Sequence, residues 1–304
     1  MQFGRCSDLT QVDFSLPALR ARSAAMLVRA AAEPPEPWLR LGAPAFRHRD
    51  WLGGLYPAGV DAAEWLRIYA SKLAALELNS TFYGLPSEAT IARWVADTPP
   101  EFRFCPKLPR AISHELGSSE LQGRVVAFVQ RMELLGQRLG PSLCQLPESA
   151  GPDVLPQLRA ALDVFPDDFA LALEVRHAAW FERGALHEAL LEWMEGRGIA
   201  SVITDVSGRR DASHASLSTP TAFVRFVGEG GHETDEPRVA RWMERLQSWQ
   251  ALGLHAAYFF VHQPDDIAAP ALLSIAAEYA RGLGIDVPSV VLERPAPSQL
   301  GLFG

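Results

Sequence analysis

Eight short apolar runs, separated by longer segments of helical periodicity, limit what this chain can fold into more than any other feature of its sequence. The runs cover residues 39–43, 75–79, 102–108, 143–146, 170–175, 200–205, 222–227 and 256–262. Apolar stretches this short, bounded by turn residues, read as strands buried on both faces, since a buried helix would need roughly ten residues or more. Helical spacing of apolar residues marks 61–72, 87–97, 120–139, 153–165, 184–197, 236–252 and 270–283. Strand followed by helix, repeated along the chain, predicts parallel strands joined by crossover helices: an α/β fold and, with eight strands, a β/α (TIM-like) barrel. A doubly wound open sheet shares the alternation, but no Gly-rich phosphate loop follows the first run here.

The rhythm breaks once. Residues 206–221 are polar, with Arg209, Arg210 and several serines and no apolar face, and read as a loop of the mobile kind between the sixth and seventh strands. Residues 1–37, which end in a Pro-rich stretch, read as an N-terminal extension, 38–290 as the barrel domain, and 291–304 as a Pro-rich linker and short C-terminal peptide. A chain of 304 residues, 48% of them apolar, suffices for one barrel core. No basic-then-apolar leader opens it and no apolar run approaches the roughly 18 residues of a membrane span, so a soluble, cytoplasmic protein with no membrane partner is expected. The scattered Cys6, Cys105 and Cys144 suit neither a disulfide framework nor a zinc site. A formal charge of −8 excludes a generally basic surface, so any phosphate-binding patch must be local.

Barrel sites are assembled at the C-terminal ends of the strands, and those positions are polar here. Glu77 and Asn79 close the second run, Lys107 the third and Gln145 the fourth; Glu174, Arg176 and His177 follow in the fifth, Asp205 in the sixth, Arg225 in the seventh and His262 in the eighth. A polar group inside an apolar run is costly to bury without a partner, so these side chains are expected to face one another across the barrel mouth. Only Lys72 and Lys107 among the 28 basic residues are lysines. Lys107 could hold a phosphate or carboxylate, pair with Glu77 or Glu174, or act as a base once desolvated. Period two puts Glu174 and Arg176 on one face, and His177 can move protons near neutral pH. The expected catalytic residues are Lys107, Glu174, His177, Asp205 and His262; the expected ligand-binding residues are Asn79, Tyr83, His114, Gln145, Arg176 and Arg225. Tyr83 belongs to an aromatic run that either packs over the barrel or offers a stacking platform. Glu77, His114, Glu174, His177, Asp205 and His262 include metal-ligating types, yet no His-x-His or His-Glu-x-x-His pair occurs. No cofactor is therefore expected, with a divalent ion as the alternative.

Together these segments resemble the domain-of-unknown-function 72 (YecE-like) family. The stretches that carry the likeness are 41–45 with Trp51, Tyr56 and Pro57; 77–86 (ELNSTFYGLP); Arg93, Trp94, Thr98 and Pro99; 102–110 (FRFCPKLPR); 112–114; 139–141; 145–147; 174–177 (EVRH); 225–228 (RFVG) and 260–266 (FVHQPDD). The resemblance spans about residues 38–284. It implies a β/α barrel akin to that of the apurinic endonucleases and sugar isomerases, and supplies no settled reaction. Gln263 and Asp266 depart from the Thr and Asn common in the family's last motif, and residues 44–46 from the Gly-Trp of its first.

A second signal lies beyond the barrel. Gln299, Leu300, Leu302 and Phe303 look like the short peptide with which bacterial repair proteins dock on the DNA sliding clamp, held out on a Pro-rich spacer. Three readings follow from the sequence. The first is a phosphate or nucleic-acid ligand held by Lys107, Arg176 and Arg225, as in a DNA-repair hydrolase or nuclease recruited by the clamp. The second is a phosphosugar-type hydrolase or isomerase with Glu174 and His177 as acid and base. The third is a non-catalytic adaptor.

Overall fold

The computed structural model describes residues 4–30 and 37–293; the C-terminal peptide with Gln299, Leu300, Leu302 and Phe303 lies outside the described residues. The strands are β1 (Leu39–Ala43), β2 (Ala75–Leu78), β3 (Arg103–Pro106), β4 (Ser142–Gln145), β5 (Leu171–Glu174), a small hairpin of β6 (Phe181–Glu182) and β7 (Ala185–Leu186), then β8 (Ala200–Asp205), β9 (Thr221–Val227) and β10 (Ala256–His262). The helices are α1 (Ala21–Ala30), α2 (Trp65–Lys72), α3 (Glu88–Asp97), the single turn α4 (Arg110–Ser113), α5 (Leu121–Glu133), α6 (Leu155–Leu162), α7 (Glu188–Arg197), α8 (Asp235–Gln250) and α9 (Ala269–Gly282). Leaving the hairpin aside, eight strands form one parallel sheet in the order β3-β2-β1-β10-β9-β8-β5-β4. Its edges meet through the bridges Phe104–Leu139 and Lys107–Leu143, which nearly close the barrel.

Because the side-chain period of a strand is two, one inward residue fixes the rest of its strand. Ala75, Cys105, Leu143, Ala172, Ala200, Val202, Phe223, Tyr258 and Phe260 form a cluster inside the barrel. Two residues on from members of that cluster come Glu77, Lys107, Gln145, Glu174, Thr204, Arg225 and His262, so the apolar packing delivers one polar layer to the C-terminal end. Gly42 lets β1 and β2 approach, since a Cβ there would stand 2.2 Å from the Ala75 carbonyl oxygen.

The break in the sequence rhythm has a structural answer. No helix connects β8 to β9; residues 206–220 cross as coil with a turn at Arg210–Ala212. The N-terminal segment covers this gap. The Ser23 hydroxyl donates to the Leu217 carbonyl and accepts from the Leu217 amide, both at 2.9 Å, while Arg22 of α1 pairs with Glu188 and Glu195 of α7. Upstream, Phe14 stacks on the Arg238 guanidinium, 4.6 Å from the ring centroid, and Arg241 and Arg245 of α8 donate to the carbonyls of Phe14 and Pro17. Residues 4–30 are thus part of the barrel's outer layer. The expected mobile loop is instead buried from Ala212 through Ser218. Its polar residues are satisfied inward: His214 bonds the Val202 carbonyl at 3.1 Å and Ser218 donates to the Ile199 carbonyl at 2.6 Å. Polarity in this segment reflected hydrogen bonds to neighbouring backbone rather than contact with water.

Candidate functional site

Arg225 organises the barrel mouth. From the middle of β9 its Nε and Nη2 each donate at 2.9 Å to the two carboxylate oxygens of Glu77, a bidentate pair, while Nη1 reaches Glu174 at 2.6 Å. All three side chains are at most 2% exposed. Glu174 also accepts from Arg176 Nε at 2.8 Å and from Gln145 Nε2 at 2.7 Å, and Gln145 Oε1 in turn accepts from Lys107 Nζ at 2.7 Å. Glu77 accepts further from Asn79 Nδ2 at 3.0 Å and lies 3.1 Å from His262 Nε2. Lys107 sits 4.4 Å above the Phe82 ring. Over this network opens a cavity of about 300 Å³ lined by Asn79, Phe82, Tyr83, Lys107, Gln145, Arg176, Arg225 and His262, with Pro44 and Asp266 at its rim.

The charge states follow from burial and contacts. Burial pushes the Glu77 carboxyl up, but Arg225 and His262 overcome this and hold it well below the usual range. Glu174, equally opposed by burial, is held at about 2 by Arg176 and Arg225. Burial lowers His262 despite the attraction of Glu77, so the imidazole is neutral and its Nε2–H donates to a carboxylate that can only accept. Burial, joined by the positive charge of Arg225, brings Lys107 down to about 8.

Residues 40–299 match the family described as protein of unknown function DUF72. The chain belongs to that family. Two YecE proteins of Escherichia coli, from O157:H7 and strain K12, are each 30% identical over 281 residues, covering 86% of this chain and 99% of their own. Among solved structures, a DUF72 protein from Enterococcus faecalis V583 superposes with a TM-score of 0.64 at 19% identity, covering 86% of this chain and 100% of the other. One from Thermotoga maritima MSB8 gives 0.60 at 24% identity, covering 81% and 99%. These structures share the fold.

In this DUF72 chain the mouth gathers Asn79, Tyr83, Lys107, Gln145, Glu174, Arg176, Arg225 and His262 from the residues expected on sequence, and leaves three outside. Asp205 does not face the barrel. Thr204 is in register with Arg225 and so takes the inward position; Asp205 points outward, where it accepts from Trp242 Nε1 at 2.7 Å and pairs with Arg238 of α8 at 3.2 Å and with Arg210. His177 caps a turn, its Nδ1 accepting from the Ala179 amide at 3.2 Å, and does not line the cavity. His114 packs edge-on against Phe82, 5.3 Å between centroids, and lines a neighbouring hollow with Pro147 and Gln157. Glu174, ionised and bonded from three sides, is poorly placed to exchange protons at neutral pH, and its hydrogen bonds go to Gln145, Arg176 and Arg225 rather than to His177, which argues against these two as an acid–base pair. Lys107 pairs directly with neither Glu77 nor Glu174; Gln145 intervenes.

Among the described residues no three His, Cys, Asp or Glu side chains are grouped as metal ligands. The Glu77 and Glu174 oxygens, the best candidates, are engaged by Arg225, so this donor set does not fit a divalent ion. Two members of the site were left out of the expected catalytic and ligand-binding sets. Phe82 was legible only as part of an aromatic run; Glu77 was read as a polar strand end, a partner for Lys107 and a metal-ligating type but not as a catalytic or ligand-binding residue, although period two places it with Asn79 on one face.

Proposed function

We propose that the barrel mouth binds the anionic group of a small phosphorylated or carboxylated molecule, with Lys107 and Arg176 as its direct contacts. One observation carries this reading: the cations line the cavity wall, while the carboxylates that balance them are shut beneath, Glu77 at 0% and Glu174 at 1% exposed. A ligand entering the cavity therefore meets ammonium, guanidinium and amide donors along its wall, while the carboxylate that does line it, Asp266, sits at the rim with one oxygen engaged by the Gln263 amide. A volume near 300 Å³ suits a small molecule. The test is thermal denaturation at low salt with sulfate, phosphate or a sugar phosphate. Ligand raises the melting temperature of the native chain by mass action, and K107M and R176M lose the shift. No shift from any anion would sink the reading.

A nucleic-acid ligand is the second reading. Tyr83, 88% exposed, stands where the mouth meets an adjoining cavity of about 510 Å³ lined by Phe46, Arg47, Arg93 and Trp94. A stacking ring beside cations is what a single strand would use. Protection by an oligonucleotide at concentrations where sugar phosphate is ineffective would favour it. Recruitment to a sliding clamp through Gln299–Phe303 belongs to this reading and rests on the sequence alone.

A further inference from the structure

We propose that Lys107 forms an imine with the carbonyl carbon of a small anionic aldehyde or ketone seated in the barrel mouth. This rests on the anion-binding reading above and names a substrate class for the same site. Arginine stays protonated at physiological pH, so a position that needs a neutral, nucleophilic nitrogen can be filled by lysine and not by arginine. This chain uses lysine only twice among 28 basic residues. Lys72 is held away from the mouth, its Nζ donating to the carbonyls of Leu55 at 2.6 Å and Val291 at 2.9 Å. Lys107 opens on the cavity instead, oriented by one hydrogen bond to the neutral amide of Gln145 and by the face of Phe82.

The surroundings favour a reactive amine over a fixed ammonium. Glu77 and Glu174, which would hold an ammonium by direct pairing, are occupied by Arg225, Arg176 and Gln145. Burial and the charges of Arg225 and Arg176 outweigh the attraction of the two carboxylates and bring Lys107 to about 8. A larger share of it is then neutral near pH 7.5 than of an ordinary lysine, whose pKa is about 10.4. Arg176, on the wall of the same cavity, would take the substrate's phosphate or carboxylate and bring its carbonyl to the amine.

The step is balanced without a redox partner. The amine lone pair forms the C–N bond as the carbonyl π pair moves to oxygen, which gains the proton that nitrogen releases through solvent. The C–O bond of this carbinolamine then breaks, oxygen leaves as water with one further proton from solvent, and a protonated imine remains.

The experiment uses the full chain with glycolaldehyde phosphate or uncharged glycolaldehyde in the presence of cyanoborohydride, which reduces an imine to a stable amine, followed by peptide mass mapping. Lys72 and the α-amino group serve as internal references. Lys107 should be labelled about tenfold faster by the phosphate than by the uncharged probe, as expected of a bound carbonyl, and sulfate should slow the reaction. K107R should lose the label while sulfate still raises its melting temperature. Labelling of Lys107 no faster than Lys72, or equal labelling by both probes, overturns the proposal. A Lys107 that stays unlabelled in a protein still stabilised by sulfate overturns the imine alone, whereas loss of sulfate stabilisation in the native chain overturns the anion-binding reading beneath it.

Discussion

Replacing Arg225 by methionine removes the one group that joins Glu77 to Glu174 and leaves two buried carboxylates with reduced compensation. Glu174 keeps Arg176 and Gln145, whereas Glu77 keeps only Asn79 and a neutral imidazole among the partners described above, so most of the cost falls on Glu77. Breaking a buried ion pair on one side typically costs about 3–5 kcal/mol, which in a chain of this length lowers the melting temperature by roughly 5–8 °C. The pH dependence distinguishes this cause from lost packing. In the native chain Glu174 has a folded pKa of about 2 against 4.5 when unfolded, so its contribution is complete above 4.5 and lost only as the pH falls toward 2. His262, lowered from 6.5, makes the native chain slightly less stable as the pH drops below 6.5, because the unfolded state takes up the proton first. In R225M the signs reverse: Glu77 rises above 4.5, or His262 above 6.5 to pair with it, and the folded state then gains stability on acidification. Urea denaturation at pH 7 and pH 5 reads both effects. The stability gap between R225M and the native chain should be largest at pH 7 and narrow by pH 5, and adding E77Q should recover part of it at pH 7. An equal gap at both pH values, or no gap, would refute the electrostatic account of the mouth.

Three further outcomes are expected. D205N should cost about 3 kcal/mol, as a buried pair broken on one side, measured by urea denaturation, yet leave the sulfate-induced shift in melting temperature unchanged, because Asp205 faces Arg238 and Trp242 rather than the mouth. L27A should cost about 2–5 kcal/mol, the price of a core truncation, since Leu27 of α1 is fully buried; a loss below about 0.5 kcal/mol, typical of a surface site, would return α1 to the status of a detached extension. A peptide of residues 295–304 should bind a bacterial sliding clamp with micromolar-order affinity, limited by ordering entropy, as read by calorimetric titration. The same peptide carrying Leu302→Ala and Phe303→Ala should not bind, and equal binding by the two would remove the clamp from consideration.

The sequence by itself determined the barrel. Each strand is buried on both faces and each crossover helix on one, and these patterns are local, so β1, β8 and β10 fall where their apolar runs predict and the other barrel strands lie within about two residues. It also placed the polar layer at the strand ends, because residues such as Gln145 and Glu174 stand out in runs that are otherwise apolar. Which way each of them faces was decided by tertiary structure. A strand buried along its whole length, as β8 is, carries no alternation to tell inside from outside, and only its register with β9 turns Thr204 inward and Asp205 out. The pairing of charges was decided the same way. Glu77, Glu174 and Arg225 are 148 and 51 residues apart along the chain, and local sequence offered Lys107 as an equal partner until barrel closure set the distances. The role of α1 was likewise out of reach of any local window: residues 1–37 read as an extension, and the segment α1 bonds to, the connection from β8 to β9 that forms no α-helix of its own, lies nearly two hundred residues later.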